Sequence, residues 1–272
     1  MANTKEVRKQ IASIKSTRKI TSALEMVAAS KIKKTQEQML RGRPYSEKVK
    51  DVIGHIANSS SEYDHPFYQD REAKTVCYVI VSSDKGLCGG LNTNLFKKVL
   101  VEAAAIKEQG VEVSFALIGG KAVTFFGNLG GKILRQVTKM GDKPNPEDLI
   151  GFTKVILDEQ KKNSIDKVIL CSNRFVNTMT QEPTLQQLIP LVNETNEGLS
   201  AGQWDYIYEP EAKTLLDGLL TRYIEALIFQ AVLENGACEQ AAKMIAMKNA
   251  TENAGDLIKE LELLYNNVRQ AA

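Results

Sequence analysis

The sequence predicts an α/β protein in which the N- and C-terminal helices form a long antiparallel coiled coil and a doubly wound, mostly parallel α/β domain is inserted between them. Three observations carry this prediction. Apolar residues recur at three- and four-residue steps from about Asn3 to Ala57. The middle of the chain changes to short β-rich runs separated by helix-like stretches. Helical spacing then returns after Glu209-Pro210 and continues to the last residue with no further proline. The implied division is 1–58 and 210–272 for a discontinuous shaft, 74–209 for the α/β domain and 59–73 for a linker.

The first helix is marked by Val7, Ile11 and Ile14, then Ile20, Leu24 and Val27, and later Val49, Val52, Ile53 and Ile56, an apolar stripe on one side. Asn3 or Thr4 is placed to cap it, with Glu6 in the first turn. Gly42-Arg43-Pro44 is its only breaker and is expected to bend the helix or disturb it locally without ending it. Strands are predicted at Thr75–Ser82, Glu112–Ile118, Lys132–Val137 and Lys167–Cys171. Between them lie helices near Asn92–Gln109, Lys121–Asn128 and Pro146–Lys162. Nearly continuous apolar strands alternating with helices indicate a parallel sheet covered on both faces. Arg174–Leu191 contains Pro183 and Pro190 and reads as an extended arm or edge strand, and Asn193–Gln203 as an exposed loop.

The last helix carries Leu216, Leu220, Tyr223 and Leu227, then Ala237, Ala241 and Met244, then Leu257, Leu261, Leu264 and Val268. At the usual rise it would be about 90 Å long, and the first helix about 80 Å. Both lengths exceed the diameter of the domain between them, so each helix needs a partner helix or a long groove. Pairing with each other is the economical arrangement, with Ala28, Ala29, Ala237, Ala241 and Ala242 allowing close approach. Separate packing of each helix around the domain is the alternative. The helical pattern is still running at Val268–Ala272, so the sequence is expected to stop short of the natural end.

Composition excludes several classes of function. Hydrophobic residues make up 43% and charged residues 25% of the chain, so wholesale disorder is not expected. No apolar stretch reaches the roughly 18 to 20 residues that span a bilayer. MANTKEVRKQ has no apolar core behind it and is neither a secretory signal nor a transit peptide. Cys77, Cys88, Cys171 and Cys238 lie far apart without a C-x-x-C pair or neighbouring histidines, which argues against zinc or a redox dithiol and fits a reducing compartment.

The Gly-rich turn Ser82–Leu91 (SSDKGLCGGL) follows the first strand, where such turns often cradle phosphate. It matches neither G-x-G-x-x-G nor G-x-x-x-x-G-K-[ST], and tight backbone turns explain its glycines. Gly119-Gly120-Lys121 and the Gly141–Pro146 segment read as structural turns. His55 and His65 are the only histidines, with no Ser or Cys nucleophile nearby in sequence. No catalytic, cofactor-binding or metal-ligating residue is therefore predicted.

Charge is more informative. Residues 1–57 hold thirteen basic and five acidic residues, net +8, whereas 210–272 hold six and nine, net −3. Nucleic acid is disfavoured because no aromatic precedes Tyr45 to stack on bases. Membrane binding is disfavoured because the partner helix needs the apolar stripe. An acidic protein partner remains. A coiled-coil scaffold with an α/β ligand-binding head, and an enzyme using the Ser82–Leu91 turn, are the competing readings.

Four runs carry a resemblance: IASIKSTRKITSALEMVAASKIKKTQ (Ile11–Gln36), SSDKGLCGGLNTNLFK (Ser82–Lys97), WDYIYEP (Trp204–Pro210) and LIKELELLYNNVRQA (Leu257–Ala271). Together they resemble the gamma subunit of bacterial F-type ATP synthases, in the right order over essentially the whole chain. The resemblance implies a non-catalytic rotor shaft of a proton-translocating enzyme, peripheral on the cytoplasmic face of the bacterial inner membrane. Its tip would lie in a hexamer of three alpha and three beta subunits, and its foot, with epsilon, on the ring of c subunits. ATP and magnesium would bind the neighbouring subunits, with no cofactor here.

By the same resemblance Leu24 and Lys31, Lys33 and Lys34 face the acidic lever loops of beta, and Arg269 and Gln270 make a polar contact with the hexamer. Arg41, Pro44 and Tyr45, with Tyr206, Tyr208 and Glu209, correspond to the foot that meets the c ring and epsilon. Family members generally continue beyond the equivalent of Ala272. The loop Asn193–Gln203 has no cysteine, so the thiol switch of the chloroplast relative is not expected.

Overall fold

The computed structural model describes residues 4–59, 67–68, 71, 73–191 and 212–270. Its elements are α1 (Thr4–Ser59), β1 (Thr75–Val81), α2 (Leu91–Glu108), β2 (Glu112–Ile118), α3 (Gly120–Asn128), β3 (Lys132–Val137), α4 (Pro146–Lys161), β4 (Lys167–Phe175), β5 (Gln181–Ile189) and α5 (Ala212–Gln270). The predicted loop Asn193–Gln203 and the Trp204–Pro210 run lie outside the described residues.

Helices α1 and α5 have 56 and 59 residues, about 84 and about 88 Å at the standard rise. They pair antiparallel along much of that length. Lys15 meets Glu262, with Nζ 2.7 Å from Oε1. Thr251 Oγ1 donates to Thr21 Oγ1 at 2.8 Å, and Gln230 Nε2 donates to the carbonyl of Met39 at 3.0 Å. The partner's number falls as the α1 number rises, which is the signature of antiparallel packing. The apolar stripe holds the pair together, since helices this long have no other way to hide an apolar face.

The seam follows the predicted stripe at Val7, Ile11, Ile14 and Leu24 but departs from it by one position at Ile20 and Val27. Ile20 and Val27 are 58% and 50% exposed, while Thr21 and Ala28 beside them are buried. Small residues on the seam let the backbones approach, and bulkier neighbours are turned outward. Ala237 and Ala241 are buried as expected and Ala242 is partly buried, but Ala29 faces out. Leu257 and Leu264 are also exposed, with Ala254 and Ile258 taking the seam.

Pro44 lies inside α1 without ending it. Its ring removes one helical N–H, and the neighbourhood is adapted to close contact. A Cβ on Gly42 would collide with Gln230 Oε1, so this glycine gives Gln230 access to the Met39 carbonyl.

The five strands lie in the order β3-β2-β1-β4-β5. The first four are mutually parallel, and β5 pairs antiparallel with β4 at one edge. Strand β4 runs four residues beyond the predicted Cys171, because β5 returns alongside and gives Ser172–Phe175 ladder partners. Period-two alternation divides the core. Cys77, Val79 and Val81 pack with α4 and α5, whereas Val76, Tyr78 and Ile80 pack with α2 and α3. The shaft thus covers one face of the sheet and leaves α2 and α3 on the outer side. Between Leu220 and Ala241, α5 is buried toward both α1 and the sheet, so its apolar residues are not confined to one stripe.

Candidate functional site

The Gly-rich turn is built to satisfy itself. Asp84 Oδ1 accepts hydrogen bonds from the N–H groups of Gly120 and Lys139, both at 3.0 Å. Ser82 Oγ accepts from the N–H of Ala122 at 2.9 Å and donates to the carbonyl of Ile118. The amides that open α3, after Gly119-Gly120, are therefore engaged by a carboxylate and a hydroxyl that the Gly-rich turn itself supplies. Asn92 finishes the turn, accepting from the Ser83 N–H and donating to Ser83 Oγ at 2.7 Å. Gly119 has φ +95°, and a Cβ there would strike the Ser82 carbonyl, which is why a glycine follows β2. A phosphate on these amides would have to displace Asp84.

The four cysteines are buried and free. Burial pushes the Cys77 thiol up to about 12, despite a hydrogen bond from Ser114, and raises Cys171 and Cys238 as well. They serve as small core residues. His65 lies outside the described residues, and for His55 only the helical backbone is described. Among the described residues no group of three or more potential ligands is placed to hold a metal ion.

The body is joined to the shaft where β4 overruns its predicted end. Asn173 Nδ2 donates to Asn235 Oδ1 at 2.9 Å, with both side chains buried. The Phe175 N–H donates to Glu234 Oε1 at 3.0 Å, and Cys238 Sγ donates to the Asn173 carbonyl at 3.4 Å. Three side chains from adjacent turns of α5 thus grip two residues of one strand. Sequence reasoning misses this joint because its partners lie 59 to 65 positions apart, and nothing local in either segment announces the other.

Lys31 connects the same two parts elsewhere. Its Nζ lies 2.7 Å from Asp142 Oδ2, on the connection between β3 and α4. That hydrogen bond, with the added positive charge of Lys31, Lys243 and Lys85, holds the Asp142 carboxyl below its usual range. Lys33 and Lys34, two and three residues further on, are exposed. The basic cluster read as one unit in the sequence is therefore two things in the structure. One lysine is committed within the chain, and two point to solvent.

The other candidate residues fall into separated groups. Leu24 is partly buried along the shaft, and Arg269 and Gln270 are exposed at the end of α5, which runs beside the start of α1. Arg41 and Pro44 are exposed on α1, and Tyr45 follows them on the same helix. Tyr206, Tyr208 and Glu209 lie outside the described residues. Sequence reasoning also misses an exposed apolar set on the shaft. Ile20, Met26 and Val27 on α1 and Leu257, Leu263 and Leu264 on α5 are 41% to 66% exposed. The signal is present as the doublets Met26-Val27 and Leu263-Leu264, which widen the apolar surface beyond a narrow coiled-coil seam.

Beyond Met247 the polar ties of α5 across the shaft, Thr251 to Thr21 and Glu262 to Lys15, go to α1. Among the described residues no helix is long and apolar enough to cross a membrane. Fold and surface together define a rod with an α/β body fixed to its flank, the form of a stalk subunit in a larger assembly.

Comparison with known proteins agrees. Residues 3–272 match the family model described as ATP synthase, and the chain belongs to that family, the F1 gamma family. The fold is similar to a chain of the Tetrahymena thermophila mitochondrial ATP synthase central stalk and c-ring structure, with TM-score 0.65 and 23% identity over 85% of this chain and 99% of that one. It is also similar to a chain of the Euglena gracilis mitochondrial ATP synthase rotor, with TM-score 0.67 and 18% identity over 98% of both chains. A second Euglena gracilis assembly, containing OSCP, F1 and the c-ring, matches with TM-score 0.65 and 16% identity over 98% of this chain and 89% of that one. The chain is a central-stalk subunit of ATP synthase.

Proposed function

We propose that the chain is the rotor shaft of a proton-translocating F-type ATP synthase, coupling rotation of a membrane ring of c subunits to the catalytic sites of an alpha3beta3 hexamer. The observation that carries this reading is the exposed apolar set on the shaft beyond the body. A free coiled coil gains nothing by exposing Ile20, Met26 and Val27, but a shaft inside a sleeve needs apolar surface that touches without bonding. Catalysis belongs to the beta subunits. The chain supplies asymmetry and stiffness, and no cofactor.

Leu24, Arg269 and Gln270 are assigned to the sleeve. Lys33 and Lys34, being exposed cations, are assigned to the acidic levers of beta, a contact that can slide because each pair is weak and screened. Lys31 is assigned to the same region, with its charge shared with Asp142. Arg41, Pro44 and Tyr45, with Tyr206, Tyr208 and Glu209, are assigned to the foot on the c ring and epsilon. The working location is the cytoplasmic face of the bacterial inner membrane, reached through those partners.

The decisive experiment is cross-linking in the assembled enzyme. Leu24→Cys or Arg269→Cys, oxidised against a cysteine on a beta subunit, should give a gamma–beta adduct that stops ATP hydrolysis and is reversed by reductant. Adducts that leave turnover untouched, or none at either position, would sink the proposal. Neutralising Lys33 and Lys34 should change ATPase rate or coupling, and unchanged values would remove them from the contact.

A further inference from the structure

The side of the body turned away from the shaft carries a surface that the rotor reading leaves unused. Helices α2 and α3 lie side by side there, and the space between them is a groove of about 960 Å³. It continues, through shared walls at Leu100 and Leu129, into a second hollow of about 660 Å³. Leu87, Val101 and Leu129 on its margins are 59%, 66% and 54% exposed, and Phe125 is 39% exposed. Phe125 is not loose. It stacks on Phe96 with ring centroids 4.9 Å apart, and Phe126 meets both rings edge-on. The aromatic anchor is therefore already in place before anything binds.

Charge lining this groove is predominantly positive. Lys97 and Lys121 are the only charged residues lining the first hollow, and Lys107 and Lys132 line the second, against a single acid, Glu112. All four lysines are exposed. Among the described residues none of them is held in an ion pair.

We propose that the α2–α3 groove is a docking site for an acidic amphipathic helix of a partner protein. Two parallel-lying helices offer a third helix the ridges and grooves that it needs. The 18 residues of α2 provide a floor about 27 Å long. Apolar anchors at helical spacing on the incoming helix would cover Val101, Phe125 and Leu129. Carboxylates flanking them would meet the lysines, which speed encounter and reject basic competitors. A second copy of this chain fits poorly, because face-to-face pairing would set lysines against lysines. A bilayer fits poorly too, because the surface is a concave groove that a helix can fill and a flat membrane face cannot.

The test uses the full chain and a labelled synthetic 18-residue peptide of leucine at helical spacing with glutamate elsewhere. Its counterpart carries lysine for glutamate, and binding is followed by fluorescence anisotropy. The acidic peptide should bind at least about tenfold more tightly than the basic one at low salt, with the difference shrinking at high salt. Val101→Asp, on an exposed helical position, should keep the thermal melt and lose about tenfold in affinity. Lys97→Glu with Lys121→Glu should reverse the preference between peptides. Equal binding of the two peptides, or an unaffected Val101→Asp variant, would overturn the proposal. So would concentration-dependent self-association, or binding to anionic phosphatidylserine vesicles, that Val101→Asp abolishes while peptide binding is absent.

Discussion

Replacing Asn235 with leucine should loosen the body from the shaft. In the native protein the Asn173 amide donates to Asn235 Oδ1 at 2.9 Å, with the two side chains 1% and 3% exposed. Leucine keeps the approximate volume but removes the acceptor, leaving the Asn173 NH2 group buried without that partner. An orphaned neutral donor costs about 1–3 kcal/mol, more than the roughly 1 kcal/mol that an average intact hydrogen bond contributes. Asn173→Leu alone should cost a similar amount by stranding Asn235. The double variant should cost less than the sum, because neither polar group is then stranded.

Urea unfolding of the four chains, followed by circular dichroism, gives the cycle. The coupling should exceed about 0.5 kcal/mol, the level at which contacting residues depart from additivity. In the assembled enzyme the single variants should impair ATP-driven pumping more than ATP hydrolysis, because the body would slip on the shaft. Additive losses in the cycle, or a single variant as stable as the parent, would refute the role given to this pair.

Three further outcomes follow from particular residues. Gly119→Ala should destabilise the chain by at least about 2 kcal/mol in a thermal melt, since it adds a collision with the Ser82 carbonyl to an unfavourable φ. Gly110→Ala, with φ +83° and nothing within 4 Å, should lose only about 1–2 kcal/mol. The Asp142 carboxyl is depressed below the usual 3.8 by its hydrogen bond from Lys31. A depressed acid adds stability above its unfolded value and loses it as pH falls through the folded value, so the tie should be intact at neutral pH and vanish in the acid range below 3.8. An NMR carboxyl titration should show Asp142 returning toward its ordinary value in Lys31→Met; being a surface pair, the tie should contribute less than about 1 kcal/mol. The native chain should resist thiol alkylation at neutral pH and react at all four cysteines once unfolded, because each is buried and Cys77 is pushed up to about 12.

Several of these features were beyond the reach of sequence reasoning for one reason. The Asn173–Asn235 pair spans 62 positions and the Lys31–Asp142 pair spans 111. Neither partner carries a local mark, and which lysine of Lys31, Lys33 and Lys34 turns inward depends on where the body lies. At Ile20 and Val27 the seam departs from the expected stripe for a related reason. Periodicity finds the correct face of α1 and side-chain size marks Ala28, but turning Ile20 and Val27 outward in favour of Thr21 and Ala28 depends on the distance between two backbones. The extension of β4 to Phe175 likewise awaited β5, because a strand's length is fixed by what pairs with it.

What the sequence determined by itself was the architecture. A stripe of apolar residues longer than any single domain forces two helices to pair, and apolar runs separated by helical stretches force a covered parallel sheet. These are statements about period and length, which are properties of a chain. The tertiary structure alone decided which residues of each stripe meet, how the body grips the shaft, which surface stays open between α2 and α3, and that Asp84 occupies the amides at the start of α3. Those are matters of contact between segments far apart in the chain, and only the assembled backbone sets those distances.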